Sequence, residues 1–344
     1  MKNSLIALTQ IADTLYKSDN TFIDLYNSCQ NYKSVLLDIT EFALQQQDND
    51  NDIFTDSGRA IGTEWAIRCV EDIMRTYKYC NGLYKAVCDA SKAQQEPVRI
   101  LYAGPGPFAT LVLPLITRFT PQQIQFDMLE INPESAALLK KVIAHFDAGD
   151  YINEFEITDA TTYKVPEPEG VNILVSETMQ AALYHEPQVT ICYNLLPQLP
   201  AEAVMIPKQI SLSLYAVNDD KRQQHKTTLD GPGVVFHDDL GHLFTLSKEE
   251  IQANHEKINA MGNEARFEPV DLQLPDDTHR KYHNLMIATS IIIYDEETEI
   301  KLEESGLTAL RQLQPLNPMM QTVKALRATY ISGQFPGLDF QLNP

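Results

Sequence analysis

Four carboxylates and two glycines sit where chemistry is possible. Gly104 and Gly106 lie in the run Ala103-Gly104-Pro105-Gly106-Pro107-Phe108. Glu130 closes the apolar run IQFDMLE, Asp159 comes near the end of FEITDA, and Glu177 and Glu186 bracket TMQAALYH. Glycine lets a backbone adopt φ > 0 and approach a ligand closely. A carboxylate roughly 20 residues after such a turn, at the tip of the next strand, can accept two hydrogen bonds from a ribose diol. A pyrophosphate would want a third glycine and an open helix N-terminus. Here prolines crowd the turn and no Lys-Ser/Thr pair follows it. A nucleoside without phosphates fits better, and S-adenosylmethionine is the obvious one. The plain alternative is an ordinary βαβ turn followed by a surface Glu.

Glu177 and Glu186 are nine positions apart around a small apolar segment. A loop or half-helix can return the second acid to face the first. Two adjacent carboxylates repel unless a cation lies between them, and a guanidinium or ammonium is the natural occupant. Such a pair can also hold a nitrogen in line with an incoming methyl group. The structural alternative has Glu177 capping a helix and Glu186 in solvent. Asp159 can accept from an adenine amino group, or it can cap the next turn.

These residues need a scaffold. Residues 98–102 read as a buried parallel strand and 109–119 as a helix. Residues 124–130 form a second strand, 133–147 a helix, 155–160 a third strand and 171–177 a fourth. Three successive strands thus deliver acids at their C-terminal ends, the edge at which open α/β sheets bind ligands. Before them, residues 1–47 read as helices, 45–52 as a polar linker and 62–90 as a long helical region carrying Asp72, Arg75, Tyr77, Tyr79, Tyr84 and Lys85. After them the pattern turns to strands at 203–207, 209–217, 284–294 and 299–303. A helical excursion is expected near 245–262. The expected division is a helical region 1–92, a nucleotide-type α/β domain 93–204 and a mostly β domain 205–344.

The chain has 344 residues, 44% of them hydrophobic, and a formal net charge of −20. That length suggests about two domains. The negative charge argues against nucleic acid as a partner and permits a cationic substrate. Five cysteines without a CxxC argue against a disulfide framework or zinc site and fit a reducing cytoplasm. The opening MKNSLIALTQIAD has too short an apolar run for a signal peptide, and no window reads as a membrane span.

Taken together, roughly from Asp72 to Tyr294, these motifs resemble the protein arginine methyltransferases. That family has a doubly wound class I methyltransferase sheet followed by a β-barrel. AGPGPF followed by LEINPES is similar to its glycine motif and ribose-binding acid. ILVSETMQAALYHEP is similar to its double-E loop and is the most specific match, because Glu-x8-Glu directly follows a strand ending in Val-Ser. EDIMRTYKYCNGLYKAV is similar to its pre-sheet helix, which supplies an Arg or Lys and a Tyr to the cofactor carboxylate. AVMIPKQISLSLYAV sits where the family crosses into its barrel. The full glycine motif is missing: either Tyr102 replaces its first glycine or Phe108 its last, the Gly-Pro-Phe ending favouring the first register, and the acid that many methyltransferases carry on a sheet strand is missing. The family's Thr-His-Trp loop has no counterpart; Gly306-Leu307-Thr308 is nearest and lacks the His.

The resemblance implies an enzyme that uses S-adenosylmethionine, with Arg75, Tyr79, Ala103, Gly104, Gly106, Glu130, Asp159, Ala160 and Glu177 toward the cofactor. Glu177 and Glu186 are the expected catalytic pair, and no metal is expected. The missing loop leaves the acceptor open between arginine and a small molecule bearing a guanidine or amine. A binding protein without catalysis, and aminopropyl transfer from the same cofactor, are the rival readings. The excursion near 245–262 is either a dimerisation arm, giving a homodimer, or a lid.

Overall fold

The computed structural model describes residues 2–44, 51–93, 96–227, 234–262, 264–316 and 323–343. Much of the linker expected at 45–52 lies outside them.

Two helices open the chain, α1 (Lys2–Leu15) and α2 (Phe22–Thr40). Thr21 starts α2 with a reciprocal capping box to Asp24. A small hairpin follows, β1 (Ile53–Thr55) and β2 (Gly58–Ala60), turning at Asp56-Ser57 and Gly58, whose φ is 131°. The helical region expected at 62–90 is broken into α3 (Thr63–Arg68), a 3-10 turn Cys69–Glu71 and α4 (Ile73–Ala93). The break lies at Asp72, whose backbone is extended and whose Oδ1 accepts from the Arg75 backbone N–H at 3.2 Å. Asp72 therefore starts α4 rather than continuing α3.

The central sheet has five parallel strands: β3 (Val98–Ala103), β4 (Ile124–Glu130), β5 (Ile152–Ile157), β6 (Val171–Ser176) and β7 (Val204–Ile206). Their spatial order is β5-β4-β3-β6-β7. Helices α5 (Pro133–His145) and α6 (Gln188–Leu195) are two of the connections. The order reverses between β3 and β6, and a crevice opens at such a switch point. The chain between β3 and β4 departs from the helix expected at 109–119. Ala109 has φ 45° and Pro114 cannot donate, so only a 3-10 turn, Leu113–Thr117, forms there. The third strand lies slightly earlier than expected, leaving Thr158 and Asp159 just past its end.

The chain leaves this sheet after β7 at the cis Ile206–Pro207 bond, so the last parallel strand straddles the expected 204/205 boundary. Beyond it come β8 (Gln209–Val217), α7 (Asp219–Thr227), β9 (His237–Ser247), α8 (Lys248–Ala260) and β10 (Val270–Gln273). Then follow β11 (Asn284–Ile292), β12 (Glu299–Ile300), β13 (Arg311–Pro315), β14 (Ala325–Ile331) and β15 (Gly337–Asn343). One antiparallel sheet runs β12-β11-β8-β9 with β13 also on β11, and a second runs β10-β14-β15. The architecture is a class I methyltransferase-like α/β sheet with N-terminal helices and a C-terminal antiparallel domain, as expected from the sequence. The helical excursion starts later than expected. Phe244 pairs with Leu212 in the sheet, and Ser247 caps α8 by accepting from the Glu250 N–H. α8 then buries Ile251 and Ile258 on the side that meets α6. The strand expected at 299–303 stops at Ile300, and Glu303 has φ 60°.

One hydrophobic core runs from Leu8 on α1 through the parallel sheet to Tyr330 on β14. Among the described residues no helix is long and apolar enough to cross a membrane.

Candidate active site

Parallel register builds the site. Ala103 pairs with Leu129 on one side and Ser176 on the other, while Glu130 pairs with Ile157. The next residues along, Gly104, Glu177 and Thr158, therefore leave the sheet at the same edge as Glu130. Hydrogen bonds continue the ladder there: the Gly104 N–H donates to the Leu129 carbonyl at 2.9 Å and the Thr158 N–H to the Glu130 carbonyl at 3.1 Å.

A cleft opens at this edge. It is lined by Arg75, Gly104, Gly106, Glu130, Asp159, Ala160, Glu177 and Glu186 of the residues expected at a site. Two expected residues do not line it. Tyr79 lies one turn beyond Arg75 on α4 and is fully buried, its hydroxyl without a hydrogen-bond partner. Ala103 is fully buried within β3. The geometry thus presents no Tyr79 hydroxyl at the cleft; that side chain belongs to the core.

Both glycines hold positive φ, and Gly104 is also required by its surroundings. Gly104 has φ 76°, and a Cβ there would lie 2.5 Å from Thr178 Cγ2. Gly106 has φ 62°. Its N–H donates to Glu130 Oε2 at 2.8 Å, and Glu130 Oε1 accepts from the Asn132 N–H at 2.8 Å. Glu130 therefore ties the glycine turn to the tip of β4. The Ile131 N–H adds a further bond, and the carboxylate still has acceptor capacity left. Burial pushes the Glu130 carboxyl up, and the Asn132 and Gly106 N–H bonds oppose that shift.

Asp159 does what the plainer alternative foresaw. Its Oδ1 accepts from the Thr161 N–H at 2.8 Å and from Thr161 Oγ1 at 2.7 Å, and it caps the turn while bordering the cleft.

Glu177 and Glu186 are both buried. A cation does attend the pair, and the chain itself supplies it: Arg75 Nη2 forms an ion pair with Glu177 Oε2. The other oxygen, Glu177 Oε1, is buried without a partner. An unmet acceptor of that kind is costly in a folded protein unless a ligand donor completes it. Burial pushes the Glu186 carboxyl up to about 7, against a Gln180 hydrogen bond and the charges of Arg75 and Arg59.

The backbone of this loop is strained. Ala182, Leu183 and His185 have φ of 65°, 51° and 65°. Such conformations persist only where the surroundings over-determine them. Here the C-terminal domain and the first hairpin do so. The Ala182 N–H donates to Thr289 Oγ1 at 2.9 Å, and the Tyr330 hydroxyl donates to the Leu183 carbonyl at 2.8 Å. The His185 N–H donates to the Pro336 carbonyl at 2.9 Å, and the His185 carbonyl accepts from the Arg59 N–H at 2.8 Å.

A second compartment adjoins the first. The two share Arg59, Ile61, Cys69, Arg75 and Glu186. Its outer wall includes Gly306, Leu307 and Arg311, so the 306–308 segment stands at the mouth of the site. Asp72 holds it there, accepting from Ser305 Oγ at 2.7 Å and the Gly306 N–H at 2.8 Å. Sequence reading missed Arg59 and Arg311. The turn residues Asp56-Ser57-Gly58 signal the hairpin that carries Arg59, but nothing local says that it folds over the cleft. Arg311 has no local signal.

No protein-family model matches this chain, and no curated protein matches it in sequence. A structural likeness is found to the Trypanosoma brucei PRMT1 enzyme-prozyme heterotetrameric complex with AdoHcy. It has a TM-score of 0.52 at 12% identity and covers 82% of this chain and 93% of that one. At that identity the likeness shows a shared fold.

Proposed function

We propose that this chain is an S-adenosylmethionine-dependent methyltransferase acting on the nitrogen of a guanidine or amine. The observation that carries the reading is the single cleft in which Gly104, Gly106, Glu130 and Arg75 adjoin the buried acids Glu177 and Glu186. It is supported by the fold shared with a protein solved with AdoHcy.

The residues fit such a nucleoside. Gly104 and Gly106 leave room for close approach to the backbone, and Glu130 keeps acceptor capacity for a ribose hydroxyl. Thr158, Asp159 and Ala160 line the side on which an adenine would lie. Arg75 would meet the methionine carboxylate while it holds Glu177. When bound, the cofactor supplies an electrophilic methyl group on a sulfonium.

The chain's acids act on the acceptor. Glu177 Oε1 offers a fixed acceptor for an N–H of the incoming group. Glu186, across the same space, orients a second N–H and aims the nitrogen lone pair at the methyl. Both carboxylates stabilise positive charge spread over the reacting atoms. The alkylated nitrogen must lose a proton, and a carboxyl near 7 is suited to take it.

Calorimetric titration with S-adenosylhomocysteine is the first test; no heat and no thermal shift at millimolar ligand would remove the reading. Product analysis is the second. S-adenosylhomocysteine marks methyl transfer, whereas methylthioadenosine marks aminopropyl transfer from the same cofactor. The similar trypanosome protein assembles as a heterotetramer; self-association of this chain through α8 is a proposal that mass in solution, with and without that helix, decides.

A further inference from the structure

The outer compartment is lined by six charged side chains: Asp52, Arg59, Asp72, Arg75, Glu186 and Arg311. Four of them are matched within the chain. Asp52 pairs with Arg59 at 3.1 Å and accepts from the Gly62 N–H at 2.7 Å. Asp72 accepts from Ser305, Gly306 and the Arg75 backbone. Arg75 pairs with Glu177. Among the described residues, Glu186 and Arg311 make no ion pair. Two charges of opposite sign without an ion-pair partner thus border one space, Glu186, which accepts from Gln180, buried at one end and Arg311 half-buried in the wall.

Arg311 is held by stacking, and among the described residues its guanidinium donors make no hydrogen bond. Its guanidinium lies 3.6 Å from the centroid of the Tyr184 ring, and Tyr184 stacks on His185 at 3.6 Å. Tyr184 is packed in turn against Gly337, where an added Cβ would come within 2.8 Å of the ring. A guanidinium stacked by its face keeps the N–H groups of its edge for a planar anion. The platform Tyr184-His185 leads directly to Glu186, so the same loop sets both charges. A further donor stands nearby: Arg59 Nε is buried and has no hydrogen-bond partner. An acceptor carrying only a cation would satisfy Glu186 and leave Arg311 and Arg59 Nε unmet.

Resting on the methyl-transfer reading above, we propose that the acceptor is a small zwitterion, whose guanidine or amine faces Glu186 while its anionic group is held by Arg311, with Arg59 Nε as auxiliary donor. This is a free small molecule rather than a residue inside a peptide, since peptide bonds remove the carboxylate next to an arginine side chain's own backbone. The anion is a carboxylate or a phosphate, and the test separates them.

The test uses the full chain loaded with S-adenosylhomocysteine and reads heat of binding. The probes are ω-guanidino carboxylates of increasing chain length, O-phosphorylated amino alcohols, and alkylguanidines or amino alcohols of matched length without the acid. At least one acid-bearing probe binds about tenfold or more tighter than its acid-free partner. Which of the two acid series shows the gain identifies the anion. Arg311→Gln erases the gain and leaves affinity for S-adenosylhomocysteine unchanged. Arg311→Lys, which keeps the charge without the fork, retains part of it and guards against a folding defect in the first variant. Equal binding with and without the acid, no binding of any acid-bearing probe at millimolar concentration, or a gain that survives Arg311→Gln overturns the proposal while the methyl-transfer reading stands. Failure of the protein to bind S-adenosylhomocysteine overturns that reading, and this inference with it.

Discussion

Arg75 on α4 and Glu177 at the tip of β6 form a buried ion pair at the floor of the cleft. The pair links the helix that precedes the sheet to the acidic loop that follows its central strands. It also separates two acids that the sequence alone leaves equivalent: Glu177 has a direct ion pair within the chain, and among the described residues Glu186 has none.

Removing the cation exposes that difference. Arg75→Gln leaves a buried carboxylate with no counter-charge, and breaking such a pair costs about 3–5 kcal/mol. Urea unfolding should show this as a lower midpoint at pH 8. S-adenosylhomocysteine affinity should fall as well, because the same guanidinium borders the inner compartment.

Glu186 makes stability depend on pH. Its carboxyl lies at about 7 in the folded chain against 4.5 for an ordinary Glu. Between these values the folded state binds more protons than the unfolded state, so this group's contribution falls as pH rises from about 4.5 to 7. The loss is on the order of 3 kcal/mol. Glu186→Gln should abolish that slope and raise the unfolding midpoint at pH 8. The same substitution should keep S-adenosylhomocysteine binding and lower turnover by a factor of about 100 to 1,000. Unchanged turnover would make the loop scaffolding.

The two glycines should respond differently to alanine. Gly104→Ala forces a Cβ against Thr178 Cγ2 at 2.5 Å in addition to the strain of φ 76°. Gly106→Ala meets only Ala66 at 3.7 Å, leaving the strain of φ 62° alone. The second change should cost about 1–2 kcal/mol and the first distinctly more. Thermal melts of both variants check the order.

Tyr330→Phe tests whether the C-terminal domain sets the acidic loop. It removes the hydroxyl that donates to the Leu183 carbonyl and leaves that buried oxygen unmet. A stability loss of about 1–3 kcal/mol is expected. Turnover should fall more than S-adenosylhomocysteine affinity, since Tyr330 does not line the inner compartment. Equal losses of both would place the effect on the whole domain.

The sequence by itself determined the sheet and its acidic edge. Short apolar runs such as ILYA and ILVS have the length and β-rich character of buried parallel strands, and each ends where its carboxylate or glycine begins. Parallel register then aligns those ends, because neighbouring strands in a parallel sheet point the same way. The identity of the acids, their order and the glycine turn were legible for that reason. What lay beyond local pattern was decided by contacts across long separations. Asp72 breaks a continuous helical pattern because its carboxylate serves the Arg75 N–H and, through its other oxygen, residues 305–306. Residues 109–119 have a helix's composition, yet the left-handed Ala109 and Pro114 confine them to a 3-10 turn. The resemblance puts Tyr79 toward the cofactor, and packing sets its side chain in the core. The pairing of Arg75 with Glu177, the strained path that brings Glu186 back, and the placing of Arg59 and Arg311 at the mouth all depend on partners far along the chain. Charge–charge and hydrogen-bond partners of that kind carry no sequence period, so only the folded chain could select them.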